Sequence, residues 1–152
     1  MASLIQIGPM LAKEHDQVIQ IQKILMPENG NWRPHELSAL GERGVTLVAR
    51  TARDEVIGMI FAQIVEKTSE ILTFGVLDTY QRQGIGTLLL RHFFQDVQRR
   101  GVEEVFLDVR ADNQIAVNLY KRHGFTIMSR RSNYYKTLAN NYIDAIVMIC
   151  HL

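Results

Sequence analysis

The sequence predicts a mixed α/β domain: a central, mostly antiparallel sheet of seven strands flanked by about four helices. Three observations predict it. Apolar runs at 45–48, 56–65 and 70–77 are separated only by short polar turns, which makes an antiparallel meander. After a glycine-bearing turn, Ile85, Leu88, Leu89, Phe93 and Val97 recur at helical spacing. From residue 102 onward the pattern reads strand, helix, strand, strand. With 152 residues the chain is long enough for one domain, 1–152, to bury a sizeable core without disulfide staples.

The elements follow in order. Residues 5–7 read as a short first strand ended by Gly8-Pro9. Over 12–25, Val18, Ile21, Ile24 and Leu25 form one stripe of a helix, and Met26-Pro27 stops it. Residues 28–34 are turn-rich yet carry the only tryptophan, Trp32, which either covers the core edge or lines a substrate mouth. A short helix is expected over 35–40, ended by Gly41 or Gly44. Turns at 52–55 and 66–69 join the meander strands. The helix after the glycine turn runs to about Arg100, with Gly101 at its C-terminal cap. Residues 102–109 alternate, with Val105, Leu107 and Val109 on one face and Phe106, Asp108 and Arg110 on the other. Asp112-Asn113 caps a helix through Lys121, closed by Gly124. Strands at 125–128 and 143–150 complete the sheet around a polar loop at 133–141.

Composition narrows the function. An apolar content of 47% and a charged content of 22% are those of a soluble globular protein. A formal net charge of +1 gives no electrostatic case for nucleic acid or an anionic membrane. The Arg99-Arg100 and Arg130-Arg131 pairs read as solvated ends of elements. The single cysteine, Cys150, reads as a small core residue and fits a reducing compartment. No signal peptide or transmembrane run is seen, so the expected address is the cytoplasm. Histidines 15, 35, 92, 123 and 151 show no paired ligand spacing, so no metal is expected.

The turn Tyr80-Gln81-Arg82-Gln83-Gly84-Ile85-Gly86-Thr87 sits between the strand at 70–77 and a helix. There it presents unpaired N–H groups and the positive helix end to an anion, so it reads as a phosphate or pyrophosphate cradle. A P-loop is excluded because no lysine precedes Thr87. A dinucleotide fingerprint is excluded because Leu89 stands where a third glycine or alanine belongs.

Gln81-Arg82-Gln83-Gly84-Ile85-Gly86 resembles the acetyl-coenzyme A signature of the GNAT acetyltransferases. Further stretches resemble the branch that acetylates protein N-terminal α-amines, the RimI type: Leu107-Asp108-Val109-Arg110-Ala111-Asp112-Asn113, Ala116-Val117-Asn118-Leu119-Tyr120, Gly124-Phe125, Arg131-Ser132-Asn133-Tyr134-Tyr135 and Asp144-Ala145-Ile146-Val147-Met148. The resemblance implies a sheet splayed between its fourth and fifth strands. It implies acetyl-CoA held by backbone around Phe74, Gly75 and Val76, by Arg82, Gln83, Gly84, Ile85, Gly86 and Thr87, and by Asn113. It makes Tyr120 the proton donor to the leaving thiolate.

Asp108 occupies the position of the branch's general-base glutamate, one methylene shorter, so a bridging water is expected. Glu70 and Tyr80 compete for that role. Trp32, Tyr80, Asn133, Tyr134 and Tyr135 are implied in acceptor binding. An α-amine has a pKa near ~8 against ~10.4 for lysine, so a weak or water-relayed base suffices for an N-terminus. The reading is therefore acetyl transfer to a protein N-terminus, such as that of a ribosomal protein. The rivals are transfer to lysine or a small amine, a catalytically silent CoA-binding module, and a protein adaptor.

Overall fold

The computed structural model describes residues 4–27 and 32–152. The expected turn at 28–34 therefore lies partly outside the described residues. Strand β1 (Gln6–Pro9) pairs antiparallel with β2 (Val45–Arg50), β2 with β3 (Val56–Val65), and β3 with β4 (Thr68–Val76). Strand β4 runs parallel to β5 (Glu104–Arg110). Beyond it, β7 (Tyr142–His151) and the edge strand β6 (Thr126–Lys136) pair antiparallel. The described residues thus form one seven-stranded sheet in the order β1-β2-β3-β4-β5-β7-β6.

Helices α1 (His15–Leu25) and α2 (Pro34–Arg43) cover one face; α3 (Ile85–Arg99) and α4 (Gln114–Arg122) bury their apolar sides on the other. The alternation of β2 and β3, broken once where the register skips Ile57, supplies both layers. Val48, Met59 and Phe61 meet Val18, Ile21 and Leu37, while Leu47, Ala49, Ile57 and Ile60 meet Leu89, Leu90 and Phe93. Pro34 at the first helical position and Glu36, accepting the Arg33 N–H at 3.1 Å, start α2. Gly41 lies inside that helix and Gly44 ends it. A Cβ at Gly44 would stand 2.2 Å from the Ala62 carbonyl oxygen, so only glycine fits.

The feature that positions the site is a fork. Strands β4 and β5 pair only from Thr68–Glu104 to Ile71–Leu107 and then part. At the parting, Phe61 opposes Thr73 and Ala62 opposes Ile71, which leaves Leu72 as an extra residue in β4. Such a bulge re-aims the side chains that follow it. Ile71 faces the α3 layer; without the bulge Thr73 would face it too. Instead Thr73 turns to the α1 face, where it meets Trp32, and Phe74 turns toward α4.

Several expectations are corrected. The first helix opens as a 3-10 turn at Ala12–Glu14 before α1. On α1, Ile24 is exposed and Gln22 is buried in its place, its Oε1 accepting the Trp32 backbone N–H at 3.0 Å. The meander turn at 66–69 contracts, because Thr68 already belongs to β4. The polar loop at 133–141 is largely strand: β6 continues to Lys136 and carries Asn133, Tyr134 and Tyr135. Its Arg-Arg-Ser-Asn stretch lacks apolar alternation because an edge strand exposed on both faces has no core to match.

Candidate active site

The cradle forms as its glycines dictate. Gly84 caps α3 at φ +81, and Arg82 is also left-handed at φ +62. No side chain caps α3, so the first-turn N–H groups of Ile85, Gly86 and Thr87 face outward. Gln81, which the sequence reading left without a role, braces the loop: its Nε2 donates to the Val76 carbonyl at 2.9 Å and to Asp78 Oδ1 at 3.1 Å. Tyr80 lies half-buried against the main core. Thr87 Oγ1 stands 3.5 Å from Nε2 of His123, at the end of α4.

The open edge of β4 leads into the cradle. The Leu77 N–H donates to the Ile57 carbonyl, which makes 57 and 77 a hydrogen-bonded pair. By the period of two, 59 and 75 are the next such pair. The backbone groups of Phe74 and Val76 therefore face the fork, and those of Gly75 face β3. The missing side chain of Gly75 makes room for α1 instead, since a Cβ there would lie 2.7 Å from Leu25 Cδ1. A Cβ on Gly86 would sit 3.5 Å from the Phe74 ring and 3.8 Å from Leu119, so cradle, open edge and α4 converge.

Tyr120 closes this side. Its buried ring meets Phe74 at 5.9 Å and Phe125 at 5.5 Å between centroids. Burial, reinforced by nearby Tyr135, raises its hydroxyl well above the ordinary tyrosine value of 10. Asn113 caps α4, its Oδ1 accepting the Ala116 N–H at 3.2 Å.

The opposite face of the fork carries the carboxylates. Among the described residues no helix covers β5, β6 and β7 there, and a cleft of about 220 Å³ opens instead. Glu70, Phe106, Asp108, Gln63, Met128 and Arg131 line it. Glu70 pairs in register with Phe106, so Asp108 lies two residues nearer the fork on the same face. Gln63 Nε2 donates to Glu70 Oε2 at 2.9 Å. Arg131 Nε stands 3.7 Å from Asp108 Oδ1, and its guanidinium lies 5.3 Å from the centre of the Tyr134 ring.

Arg131 lines this cleft from the middle of β6 rather than from the end of an element, while its side chain stays exposed as expected from sequence. Arg130 is fixed on Asp144 at 2.8 Å, and Arg100 donates to the Gly44 carbonyl at 2.8 Å. A register shift in β6, with Asn133 at φ +51 and its N–H on Asp144 Oδ1 at 2.9 Å, sets the direction of the two tyrosines. Burial, then the nearby Asp108 and Tyr134, raise the Tyr135 hydroxyl to about 12 against the pull of Arg110 and Arg131. Tyr135 thus lies near enough to Asp108 to feel its charge, and its own charge acts in turn on Tyr120. Trp32 donates from Nε1 to Thr73 Oγ1 at 3.0 Å and packs edge-on against Phe61, so it covers the core edge right at the fork. No group of three or more His, Cys, Asp or Glu among the described residues is placed to hold a metal. None of the described helices is long and apolar enough to cross a membrane.

Comparison with known proteins agrees with this geometry. The acetyltransferase (GNAT) family model matches residues 16–125. The ribosomal protein bS18-alanine N-acetyltransferase of Salmonella typhimurium is 37% identical over 108 residues, covering 71% of this chain and 72% of that protein. An N-alpha-acetyltransferase of Sulfurisphaera tokodaii is 30% identical over 143 residues, covering 86% and 85%. The crystal structure of the ribosomal-protein-S18-alanine N-acetyltransferase from Escherichia coli superposes with a TM-score of 0.85 at 28% identity, covering 97% of this chain and 94% of that one. A forked sheet, a glycine cradle at its mouth and a family match over most of the length lead to one conclusion: the chain belongs to the GNAT family of acetyltransferases.

Proposed function

We propose that this chain transfers the acetyl group of acetyl-CoA to the α-amine of a protein N-terminus, by direct attack in a ternary complex. One observation carries the reading. The fork separates a cradle and a buried tyrosine on one face from a carboxylate-lined cleft on the other. An anionic cofactor and a polypeptide amine can therefore meet through the gap without crossing each other's path.

The residues fit acetyl-CoA. The uncapped start of α3 suits a pyrophosphate. The outward N–H and carbonyl of Phe74 and the N–H of Val76 suit the pantetheine amides, as an added strand would, while the Val76 carbonyl is held by Gln81. Acetyl-CoA supplies an activated thioester carbonyl. Holding the amine against that carbonyl accounts for much of the acceleration. As the C–N bond forms, the amine proton leaves through a water toward Asp108. As the C–S bond breaks, Tyr120 protonates the thiolate, and its raised pKa keeps that proton available throughout the neutral range. A backbone N–H at the open edge is placed for the oxyanion. Asn133, Tyr134 and Tyr135, which follow the cleft residue Arg131 on β6, take the first residues of the acceptor.

A second reading, a lysine acceptor with Glu70 as base, draws on the position of Glu70 in the same cleft. Initial rates of CoA-thiol release separate the two. Peptides with free N-termini and no lysine should turn over and N-blocked lysine peptides should not. Asp108→Asn should cost about a hundredfold in kcat/KM and Glu70→Gln far less. Turnover confined to the blocked lysine peptides, lost in Glu70→Gln, would overturn the proposal. The Salmonella relative is named for a ribosomal protein, so ribosomal-protein N-terminal sequences are the first acceptors to try, and we place the chain in the cytoplasm where such proteins are made.

A further inference from the structure

We propose that His123 anchors the cofactor: its Nε2–H holds the Thr87 hydroxyl as an acceptor and so commits the hydroxyl proton to the cofactor's pyrophosphate. The inference rests on the acetyl-CoA reading above and adds a residue to it.

Thr87 is the third residue of α3, in the turn whose N–H groups no side chain caps. Among the described residues its hydroxyl has one side-chain hydrogen-bond partner, His123 Nε2 at 3.5 Å. A hydroxyl has a single proton to give. If Nε2 is bare, Thr87 donates to the imidazole and turns oxygen lone pairs toward the anion site. If Nε2 bears hydrogen, Thr87 accepts from it and its own proton is free for a phosphate oxygen. An anion in the cradle therefore selects the Nε2–H form.

The surroundings sharpen this choice. Burial first, then the charges of Arg122 and Arg91, lower the His123 pKa below its ordinary value of 6.5. These influences favour the neutral ring, which has one N–H to place. The position is also mechanically apt. His123 is the C-terminal cap of α4, three residues beyond Tyr120, and its own N–H donates to the Tyr120 carbonyl at 3.0 Å. The Thr87–His123 contact thus ties the pyrophosphate turn to the helix that carries the proton donor. Cys150 completes the packing, its Sγ 3.9 Å from the His123 carbonyl.

Calorimetric titration of acetyl-CoA into wild type, His123→Leu, His123→Gln, Thr87→Val and the His123→Leu/Thr87→Val double variant tests this. The expected result is a roughly tenfold loss for His123→Leu and for Thr87→Val, with no further loss in the double variant. His123→Gln, which keeps an N–H donor near Nε2, should stay within about twofold of wild type. Nitrogen NMR of the imidazole should show the Nε2–H tautomer once acetyl-CoA is added. Acetyl-pantetheine, which lacks the pyrophosphate, should inhibit all five proteins equally in competition. Unchanged affinity in His123→Leu, additive losses, or an equal loss toward acetyl-pantetheine would overturn the inference. Failure of wild type to bind acetyl-CoA at all would instead defeat the cofactor reading.

Discussion

Tyr120 shows how much one side chain depends on its surroundings. A phenol is a useful acid for a thiolate only if it keeps its proton, and burial secures that by penalising the charged form. The raised pKa means the group does not deprotonate as pH rises through the neutral and mildly alkaline range, so any alkaline loss of activity should have another origin. Tyr120→Phe removes the proton without removing the ring contacts to Phe74 and Phe125. It should lower kcat by about a hundredfold or more while leaving acetyl-CoA affinity within about twofold, a split that steady-state kinetics with parallel calorimetry would read. A variant with normal kcat would take Tyr120 out of the chemistry. The position of Tyr120 was legible in sequence, because its helix and its spacing from Asn113 are local. The contacts of Arg131 and His123 were not, because each meets a partner distant in sequence, Asp108 and Thr87 respectively, and no periodicity reports such a contact.

Among the elements, the glycine turn was the most legible and the edge strand the least. Gly84 announces itself because a left-handed residue before a helix calls for glycine. An alanine there has open space, since nothing lies within 4 Å of the built Cβ, so its cost is the backbone's alone. Gly84→Ala should therefore destabilise by about 1–2 kcal/mol and weaken acetyl-CoA binding more than it lowers the melting temperature would suggest, because the N–H groups of the cradle tilt. Unchanged affinity would show that the turn is only a connection. The bulge at Leu72 was invisible in sequence. Its apolar run reads as continuous strand, and only the register against β3 reveals the extra residue on which the fork depends. Strand β6 was underestimated for the opposite reason, its exposed residues carrying no burial signal.

The molecule as a whole is also tied by ion pairs between elements distant in sequence. At one end Glu14 and Arg50 tie the first 3-10 turn to β2, with Arg50 Nε at 2.5 Å and Nη2 at 2.6 Å from the carboxylate, which is nearly inaccessible. Burial works to raise the Glu14 pKa, but the hydrogen bonds from Arg50 and the Leu11 N–H, with the charges of Arg50 and Lys13, outweigh it and leave the pKa lowered. The stabilisation is thus fully present above the ordinary glutamate value of 4.5 and is lost as pH falls through the lower folded value. Glu14→Gln should cost about 3 kcal/mol at neutral pH and flatten the acid limb of stability, as thermal unfolding across pH would show. Equal melting temperatures at neutral pH would contradict it. The seven strands and four α-helices of the described residues, and their order, followed from the sequence pattern. The sharing of the cleft by Glu70, Asp108 and Arg131 did not, because it arises where two strands separate.

The amine expected to enter this fork is a protein's α-amine. One peptide bearing both a free N-terminus and an internal lysine puts the two amines in direct competition. Tandem mass spectrometry after a single short incubation with enzyme and acetyl-CoA locates the product. Acetyl on the first residue alone is the predicted result; acetyl on the lysine side chain would contradict the account.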